Sequence, residues 1–315
     1  MKISIITPHF NDFKGIQQTH ECLKKQTSPL WEWIIVDDFS DKRIRDNIKK
    51  YFENLDCSNI QLVFNVTKTN ASFCRNIGVD LATNNSLVFL DADDIISEDF
   101  VENRLIPVKD LIVFKNFHVK DKNGITKPFP TASSDYLEHF LQAKFIWQTT
   151  AVLWNKNFLI KIGKFNSDLK LLEDIELSMR ALILSNNYKV IDNKVDFFYS
   201  VSPIDIKKRP TNKICEAVDN LINYMHANYQ LNPHQKKLVM GYYFLTVRYL
   251  ERAKRKEHID LVHQNLKLFY DKKHIGFGKY AIGYILLKGY NFNFLSGKQF
   301  LRINRYVFKP NYTAG

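Results

Sequence analysis

The segment at residues 87–94 joins an apolar run to a cluster of acids. Four apolar residues have the character of a buried strand, and Asp91, Asp93 and Asp94 follow them around a single alanine. Clustered carboxylates repel one another unless a positive charge neutralises them. Carboxylate oxygens suit Mg²⁺ or Mn²⁺, and these ions in turn hold the phosphates of a nucleotide. The alternative is that Asp93 or Asp94 caps a short helix through Phe100.

Two other predicted strands also end in polar residues. After the first come Thr7, Pro8, His9, Phe10, Asn11 and Asp12, and after the second come Asp37, Asp38, Phe39, Ser40 and Asp41. The carboxyl ends of parallel strands meet at one edge of a sheet, so these residues and the acids at 91–94 converge in space. Each strand end alone fits a turn or a helix cap equally well. The three together predict a ligand site at that edge.

The elements that must position these residues alternate along the chain. Apolar, β-branched runs predict strands at 2–7, 32–37, 60–65 and 86–90, and amphipathic patterns predict helices at 16–26, 42–54 and 73–82. Such alternation favours a mostly parallel sheet with helical crossovers. Later patterns predict a strand at 111–119 with a hairpin turn at 121–124, a strand at 151–154, a helix at 173–184 and a closing strand at 195–199.

The last third of the chain has a different character. After about residue 203 the strand patterns stop, and helices are predicted at 213–229, 234–252 and 257–270. Residues 1–200 carry 25 Lys and Arg against 26 Asp and Glu, whereas residues 201–315 carry 20 against 7. We therefore predict two domains, 1–202 and 203–315, with a junction near Ser202 and Pro203.

The composition narrows the class of protein. With 45% hydrophobic and 25% charged residues, the chain is typical of globular proteins. It has neither the roughly 18–20 consecutive apolar residues that span a bilayer nor the pattern of a signal peptide. The four cysteines are scattered, without disulfide or metal-binding spacing. These features predict a cytoplasmic protein with reduced thiols.

Five ordered motifs in the first two hundred residues resemble those of the inverting family 2 glycosyltransferases, which have the GT-A fold and build bacterial surface polysaccharides. They are Ser4-Ile5-Ile6-Thr7-Pro8-His9-Phe10-Asn11, Trp31-Glu32-Trp33-Ile34-Ile35-Val36-Asp37-Asp38-Phe39-Ser40, Cys74-Arg75-Asn76-Ile77-Gly78, Asp91-Ala92-Asp93 and Glu173-Asp174. The resemblance implies an α/β domain with a GT-A, Rossmann-like, mostly parallel sheet flanked by helices, followed by a smaller, mainly α-helical domain.

The same resemblance implies roles for single residues. Thr7, Pro8, Phe10 and Asn11 are expected to line the nucleotide pocket, Asp38 to accept a hydrogen bond from the base, Arg75 to lie near the nucleotide or its phosphates, and Asp91 to lie near the ribose and the sugar. Asp93 is expected to hold the Mn²⁺ or Mg²⁺ ion that bridges the two phosphates. Asp174 is expected to be the catalytic base, and Glu173 to position the helix or the acceptor.

Some positions depart from the family pattern or are open to two interpretations. Lys68 stands where the family has Asn, so its charge meets either phosphate or solvent, and Asn70 and Phe39 stand where the family has Gly. His9 is interpreted either as a residue that contacts the ligand or as a structural histidine whose hydrogen bonds are satisfied within the protein. Trp147 fits either stacking on a sugar or core packing.

The predicted activity is that of a glycosyltransferase of the hexosyltransferase type. It would move a sugar from a nucleotide-diphosphate donor, expected to be UDP-linked, to a hydroxyl of a saccharide or lipid-linked saccharide acceptor. A positioned carboxylate assists such a poor nucleophile by ~10²–10⁴-fold, and a cation stabilises the charge of the leaving diphosphate.

Two alternative functions remain open at this stage. A metal-dependent nucleotidyltransferase also uses an Asp-x-Asp motif. However, this sequence has no Gly-rich phosphate loop, and a nucleotidyltransferase function would give Glu173-Asp174 no role. A non-enzymatic, basic nucleic-acid-binding protein is disfavoured because the domain that carries the motifs is neutral.

The C-terminal third combines 20 Lys and Arg with 18 Phe and Tyr. Basic residues interleaved with aromatics suit the headgroup zone of an anionic membrane, here the inner face of the cell membrane. Helix packing or homo-oligomerisation is the second interpretation, and nucleic-acid binding is the third.

Overall fold

The computed structural model describes residues 1–53, 55, 58–121, 124, 126–132, 134–185, 187–200, 211–254 and 256–309. The chain divides into two compact units, Met1–Thr131 with Ile146–Ser202 and Ala132–Phe145 with Pro203–Gly315. The segment at 132–145, which the sequence analysis gave to the first domain, therefore groups with the second unit. The predicted junction at Ser202-Pro203, two residues of the predicted turn at 121–124 and one of the four cysteines lie outside the described residues.

The first unit is built on two sheets. Its strands are β1 (Ile3–His9), β2 (Trp31–Asp37), β3 (Ile60–Phe64), β4 (Ser86–Phe89), β5 (Ile95–Ile96), β6 (Leu111–Phe114), β7 (His118–Lys120), β8 (Thr126–Pro128), β9 (Val152–Asn155), β10 (Tyr188–Ile191) and β11 (Phe197–Ser200). The larger sheet has the order β10-β6-β9-β4-β1-β2-β3, and the smaller one has the order β5-β11-β7-β8. In the larger sheet β9 is antiparallel to β4 and β6, whereas the other neighbouring pairs are parallel.

Helices connect these strands and make up most of the second unit. They are α1 (Phe13–Lys24), α2 (Lys42–Glu53), α3 (Ala71–Leu81), α4 (Phe100–Asn103), α5 (Tyr136–Leu141), α6 (Lys156–Lys161), α7 (Glu173–Leu184), α8 (Thr211–Asn228), α9 (Pro233–Leu238), α10 (Met240–Ala253), α11 (Ile259–Asp271), α12 (Phe277–Asn291) and α13 (Gly297–Phe308). Among the described residues, none of these helices has both the length and the apolar character needed to cross a bilayer.

The central strands β1, β2 and β4 are buried along almost their whole length, as expected for parallel strands covered on both faces. Polar residues in the loops after β1 and β3 begin the next helices. The Asp12 carboxylate accepts a hydrogen bond from the backbone N–H of Gly15 at the start of α1, at 2.9 Å. The Asn70 side chain accepts one from the backbone N–H of Phe73 at the start of α3, also at 2.9 Å. These caps fix the loops that follow the strand ends.

The strands and helices predicted up to residue 90 are all present, with their ends displaced by a few residues. Two later predictions were partly wrong. The segment at 111–119 forms two strands in different sheets, because the chain leaves the larger sheet after Phe114. Phe117 instead stacks on Phe197 beneath the smaller sheet, with 4.4 Å between ring centroids. The predicted closing strand, β11, likewise belongs to the smaller sheet. β7 and β8 do form the predicted antiparallel hairpin, around Gly124 with its φ of 77°.

In the second unit, the helix predicted at 234–252 is divided into α9 and α10. Close packing accompanies this division, since a Cβ atom added to Gly241 would lie 2.2 Å from the carbonyl oxygen of Gln142. The sequence analysis assigned no helix to residues 277–308, where the structure has α12 and α13.

We predict that Gly78→Ala destabilises the protein by about 1–3 kcal/mol, because overpacking forces neighbouring atoms apart. A Cβ atom at Gly78 on α3 would lie 2.3 Å from Cγ2 of Ile6 on β1. Urea unfolding measures the change. Gly278→Ala is the matched control, since a Cβ atom there meets nothing within 4 Å. Equal free energies of unfolding for the two variants would contradict the close approach of α3 to β1.

Candidate functional site

The carboxyl ends of three strands lie side by side in the larger sheet. β1 pairs in parallel with β2, with His9 opposite Asp37, and on its other side with β4, with Ile6 opposite Phe89. The residues that follow these strands are therefore brought to one edge, although they are far apart in sequence. Ligands of open α/β sheets bind at such an edge.

A cavity of about 530 Å³ opens at this edge, a volume in the range of small-molecule sites. Predicted site residues that line it are Pro8, Phe10, Asp38, Arg75, Asp91 and Asp93. Lys68, Thr69, Asn70 and Lys170 are also on its wall. The cavity thus brings together residues from all three strand ends and from α3.

Two residues predicted to line the nucleotide pocket, Thr7 and Asn11, are not on the cavity wall, and neither are Glu173 and Asp174 of α7. Thr7 is fully buried, and its hydroxyl accepts a hydrogen bond from Nε1 of Trp33 at 2.8 Å. Asn11 has a φ of 53°, and its Oδ1 accepts from the backbone N–H of Asp41 at 2.8 Å. Asn11 therefore ties the loop after β1 to the loop after β2.

His9 has structural hydrogen bonds at both ring nitrogens. Its Nε2 accepts from the backbone N–H of Asp12 at 3.0 Å, which assigns the proton of the neutral ring to Nδ1. Nδ1 then donates to Oδ1 of Asp37 at 2.8 Å. His9 borders the cavity, but these contacts are those of a satisfied structural histidine.

The Asp38 carboxylate is already occupied by donors from the loop before α3. Nζ of Lys68 lies 2.6 Å from its Oδ2, and the backbone N–H of Thr69 donates to its Oδ1 at 2.7 Å. Burial acts to raise the pKa of Asp38, but these hydrogen bonds outweigh it and lower the pKa below its usual value. The Lys68 ammonium also lies over the ring of Phe10, 3.3 Å from its centroid. The Lys68 ammonium therefore pairs with Asp38, while its side chain stays 47% exposed on the cavity wall.

Arg75 joins three elements at the cavity wall. This buried residue of α3 donates to Oδ1 of Asp91 at 2.8 Å and to Oε1 of Glu173 at 3.3 Å. Burial opposes its charge, but Asp91 and Glu173 raise the pKa of Arg75 above its ordinary value. Arg75 therefore stays protonated and connects α3 to the residues after β4 and to the start of α7.

Asp174 lies beside this ion pair, in the first turn of α7. Burial, followed by the neighbouring Glu173 carboxylate, raises the pKa of Asp174 to about 7, although Arg75 acts in the opposite direction. An ordinary acid at a helix N-terminus would be stabilised in its charged form by the helix dipole. The raised pKa instead reflects burial beside a second carboxylate, which outweighs the helix dipole.

The acids after β4 differ in their surroundings. Burial and the neighbouring Asp91 raise the pKa of Asp93 to about 6. Asp94 is buried and accepts hydrogen bonds from Oγ1 of Thr150 at 2.9 Å and from the backbone N–H of Ser200 at 3.0 Å. Burial and Asp91 raise the pKa of Asp94 well above its ordinary value. Asp94 therefore joins the acidic loop to β11.

Sequence reasoning missed two neighbours of this site. Asp94 was considered only as a possible helix cap, and Tyr199 was assigned only to a strand. Burial and the adjacent carboxylates, with Asp94 first among them, raise the pKa of Tyr199 to about 12. Trp147 is buried, and its Nε1 donates to Oγ of Ser178 at 3.2 Å, which matches the core-packing interpretation.

The carboxylates of the cavity fit a divalent cation of the Mg²⁺ or Mn²⁺ type. In the described part of the chain no three His, Cys, Asp or Glu side chains are grouped closely enough to hold a metal ion by themselves. Mg²⁺ commonly binds one or two carboxylates together with substrate phosphates and water. Asp93 and Asp91, both on the cavity wall, supply oxygen ligands of that number and kind.

Comparison with known proteins identifies the family. Residues 4–167 match the family described as Glycosyl transferase family 2. The chain belongs to this family. It is 35% identical to the Bacillus subtilis glycosyltransferase TuaG over 103 residues, which cover 33% of this chain and 40% of TuaG. It is 25% identical to the amylovoran biosynthesis glycosyltransferase AmsB of Erwinia amylovora over 218 residues, covering 64% of this chain and 71% of AmsB.

A solved structure shows the same fold. The structure of Staphylococcus aureus TarS 1-349 in complex with UDP-GlcNAc superposes with a TM-score of 0.62 at 17% identity, covering 98% of this chain and 90% of that one. The predicted GT-A fold with a helical C-terminal region is thereby confirmed. Family membership also decides against the two alternatives, a nucleotidyltransferase and a nucleic-acid-binding protein.

We predict that Asp174→Asn flattens the dependence of stability on pH. Because the folded pKa of Asp174 is raised from 3.8 to about 7, the folded state holds this proton more tightly than the unfolded state. Its stabilising contribution is full below about pH 4 and is lost as the pH rises to about 7. Urea unfolding from pH 4 to 8 should show a smaller decline for Asp174→Asn than for the wild type. The exposed Asp168→Asn serves as the control, and parallel curves for Asp174→Asn and wild type would contradict the raised pKa.

Proposed function

We propose that this protein is an inverting glycosyltransferase that moves a sugar from a UDP-linked donor to a hydroxyl of a saccharide or lipid-linked saccharide acceptor. One observation carries the proposal. The cavity at the strand ends has Asp38 and Asp93 on its wall, and Arg75 on the same wall contacts Glu173, the neighbour of Asp174. The cavity at the strand ends and the carboxyl group of Asp174, with its pKa raised to about 7, are thus joined through the Arg75–Glu173 ion pair, which supports the proposal.

Asp174 supplies the catalytic base in this proposal. A pKa of about 7 leaves a substantial fraction of Asp174 ionised at neutral pH, ready to take the proton of the acceptor hydroxyl as the oxygen attacks the anomeric carbon. Attack from the face opposite the nucleotide inverts the configuration at that carbon. Glu173 is held by Arg75, so we assign it to positioning rather than to proton transfer.

Asp93 and Asp91 are the residues that would hold Mn²⁺ or Mg²⁺. When bound, the cation supplies positive charge at the diphosphate, where negative charge develops as the sugar leaves. The raised pKa of Asp93 supports this assignment, because a carboxylate crowded by other acids gains from a nearby cation.

Similar proteins support the donor and acceptor classes. UDP-GlcNAc is bound in the TarS structure, and AmsB is named for the synthesis of amylovoran. We therefore place this protein in bacterial surface polysaccharide synthesis, with UDP as the nucleotide of the donor.

Two variants separate the roles within the site. We expect Asp174→Asn to lower turnover by roughly 10²–10⁴-fold while calorimetric affinity for UDP with Mn²⁺ is retained, because only proton transfer is removed. We expect Asp93→Asn to lose the Mn²⁺-dependent part of UDP affinity. A panel of nucleotide sugars, assayed for transfer and hydrolysis, identifies the donor to be used in these turnover measurements.

In wild type, kcat/KM should rise with pH through about 7 as Asp174 loses its proton. Undiminished turnover in Asp174→Asn would remove the base assignment. UDP affinity that is unaffected by Mn²⁺ in wild type would remove the metal assignment and leave the base assignment standing.

We also propose that the protein contacts the inner face of the cell membrane through the α12–α13 region. Phe292 and Phe294, between these helices, are 62% and 82% exposed, and Tyr306 on α13 is 84% exposed. Lys288 and Lys298 flank the loop. Exposed aromatics beside lysines match the chemistry of an anionic headgroup layer.

Pelleting of the full chain with phosphatidylglycerol vesicles tests this contact. We expect the double variant Phe292→Ser/Phe294→Ser to lower vesicle binding by roughly tenfold or more, since each buried phenyl ring contributes about 1.5–3 kcal/mol. Val66→Ser, at a residue 84% exposed in the first unit, is the control. Failure of the wild type to bind vesicles at any salt concentration would remove the proposal. If the wild type is dimeric and the double variant is monomeric, the exposed aromatics serve self-association instead.

A further inference from the structure

A second cavity, of about 730 Å³, lies entirely within the second unit. Residues along α9, the end of α11 and the residues before α12 form its wall. Its volume suits a small molecule or the end of a larger one.

Its charged residues are mostly positive. Lys236, Lys237 and Lys273 line the cavity against one carboxylate, that of Asp271. None of the three lysines forms an ion pair with any residue that the structure describes. Three cations held close together without partners favour an anionic ligand.

The N-terminus of α12 opens at the same cavity. Gly276, on the cavity wall, precedes this 15-residue helix and has no side chain to cap it. The first turn of α12 contains no acidic residue. The first backbone N–H groups of α12 therefore lack a side-chain partner of their own. A Cβ atom at Gly276 or Gly278 would meet nothing within 4 Å, so packing does not require glycine at either position. Backbone N–H groups at a helix N-terminus commonly bind phosphate.

His274 carries a further sign of a ligand, and its neighbour Lys273 supplies a matched test position. Lys273 has a φ of 59°, and it occupies the left-handed position after α11, where glycine is usual and a side chain costs about 1 kcal/mol. His274 is 93% buried on the cavity wall, with Nδ1 3.3 Å from the carbonyl oxygen of Lys236. Its Nε2 has no hydrogen-bond partner among the described residues. The unsatisfied Nε2 of His274, a buried atom of a residue on the cavity wall, calls for an explanation.

We propose that this cavity binds the phosphate group of a phosphate ester. Lys236, Lys237 and Lys273 neutralise the phosphate, and the first N–H groups of α12 donate to its oxygens. Tyr270 and Ile275 supply an apolar wall for the organic part of the ester. The site does not depend on the donor cavity, because all its residues belong to the second unit. A soluble sugar or polyol phosphate and a phospholipid headgroup share this chemistry.

The test uses NMR of the full chain labelled with ¹⁵N-glycine. The chain has only 11 glycines, so the backbone signals of Gly276 and Gly278 can be assigned from the variants Gly276→Asn and Gly278→Ala. The probes are inorganic pyrophosphate and, separately, phosphatidylglycerol bicelles. Because the readout is local to α12, binding of pyrophosphate in the donor cavity does not interfere, and failure here is distinct from failure of the glycosyltransferase proposal.

Lys273→Gly and Lys254→Gly are the matched variants. Lys254, with a φ of 51°, occupies the equivalent left-handed position after α10 but is not on the cavity wall. Both substitutions relieve strain and should raise or maintain the free energy of unfolding. Only Lys273→Gly should weaken phosphate binding, by roughly tenfold, a change of about 1.4 kcal/mol.

Gly276→Asp and Gly276→Asn form a second pair, read at Gly278. Both side chains cap α12, but only the aspartate repels an anion. Shifts with pyrophosphate that are lost in Lys273→Gly and Gly276→Asp support a soluble phosphate ester, and shifts with bicelles alone support a lipid headgroup. Absence of shifts with either probe, or equal shifts in Lys273→Gly and Lys254→Gly, would overturn the proposal.

Discussion

The site depends on one buried cation. Arg75 places its guanidinium between Asp91, after β4, and Glu173, at the start of α7. Without that charge, the acids around it would repel one another in a medium that screens poorly. The ion pairs therefore do more than join α3 to two other elements, because they make it feasible for several carboxyl groups to occupy one edge of a sheet.

Arg75 cannot form an ion pair with every acid near it. The acids that it does not contact therefore have a different electrostatic environment. Asp91 and Glu173 take the hydrogen bonds of Arg75, while Asp93 and Asp174 keep raised pKa values. The crowding that favours a proton on Asp93 would equally favour a divalent cation, and burial beside Glu173 raises the pKa of Asp174.

Much of this arrangement could be predicted from the sequence. Short apolar strands alternating with amphipathic helices specify a parallel sheet, and a parallel sheet brings the residues after its strands to one edge. Asp38, Asp91 and Asp93 were placed together by that rule and by the family motifs. The rule does not say which way each side chain points. Thr7 lies within β1, where side chains alternate between faces, and its hydroxyl meets Trp33 in the core.

Other features needed contacts between distant residues. The partner of Lys68 could not be known before the loop containing it was placed against Asp38. Phe117 was predicted to continue a strand, but its stacking on Phe197 takes it to another sheet. In α12, glycines obscured the helical pattern. A Cβ atom at Gly283 would lie 2.7 Å from Leu266 of α11, so that glycine permits close helix packing rather than a turn.

The contact between Lys68 and Asp38 has a consequence for recognition. The carboxylate expected to read the base already holds an ammonium and the amide of Thr69 in the free protein. A nucleobase donor that approached Asp38 would therefore share the carboxylate with these donors or displace one of them. The Lys68 ammonium lies 3.3 Å from the centroid of the Phe10 ring, on the wall of the same cavity.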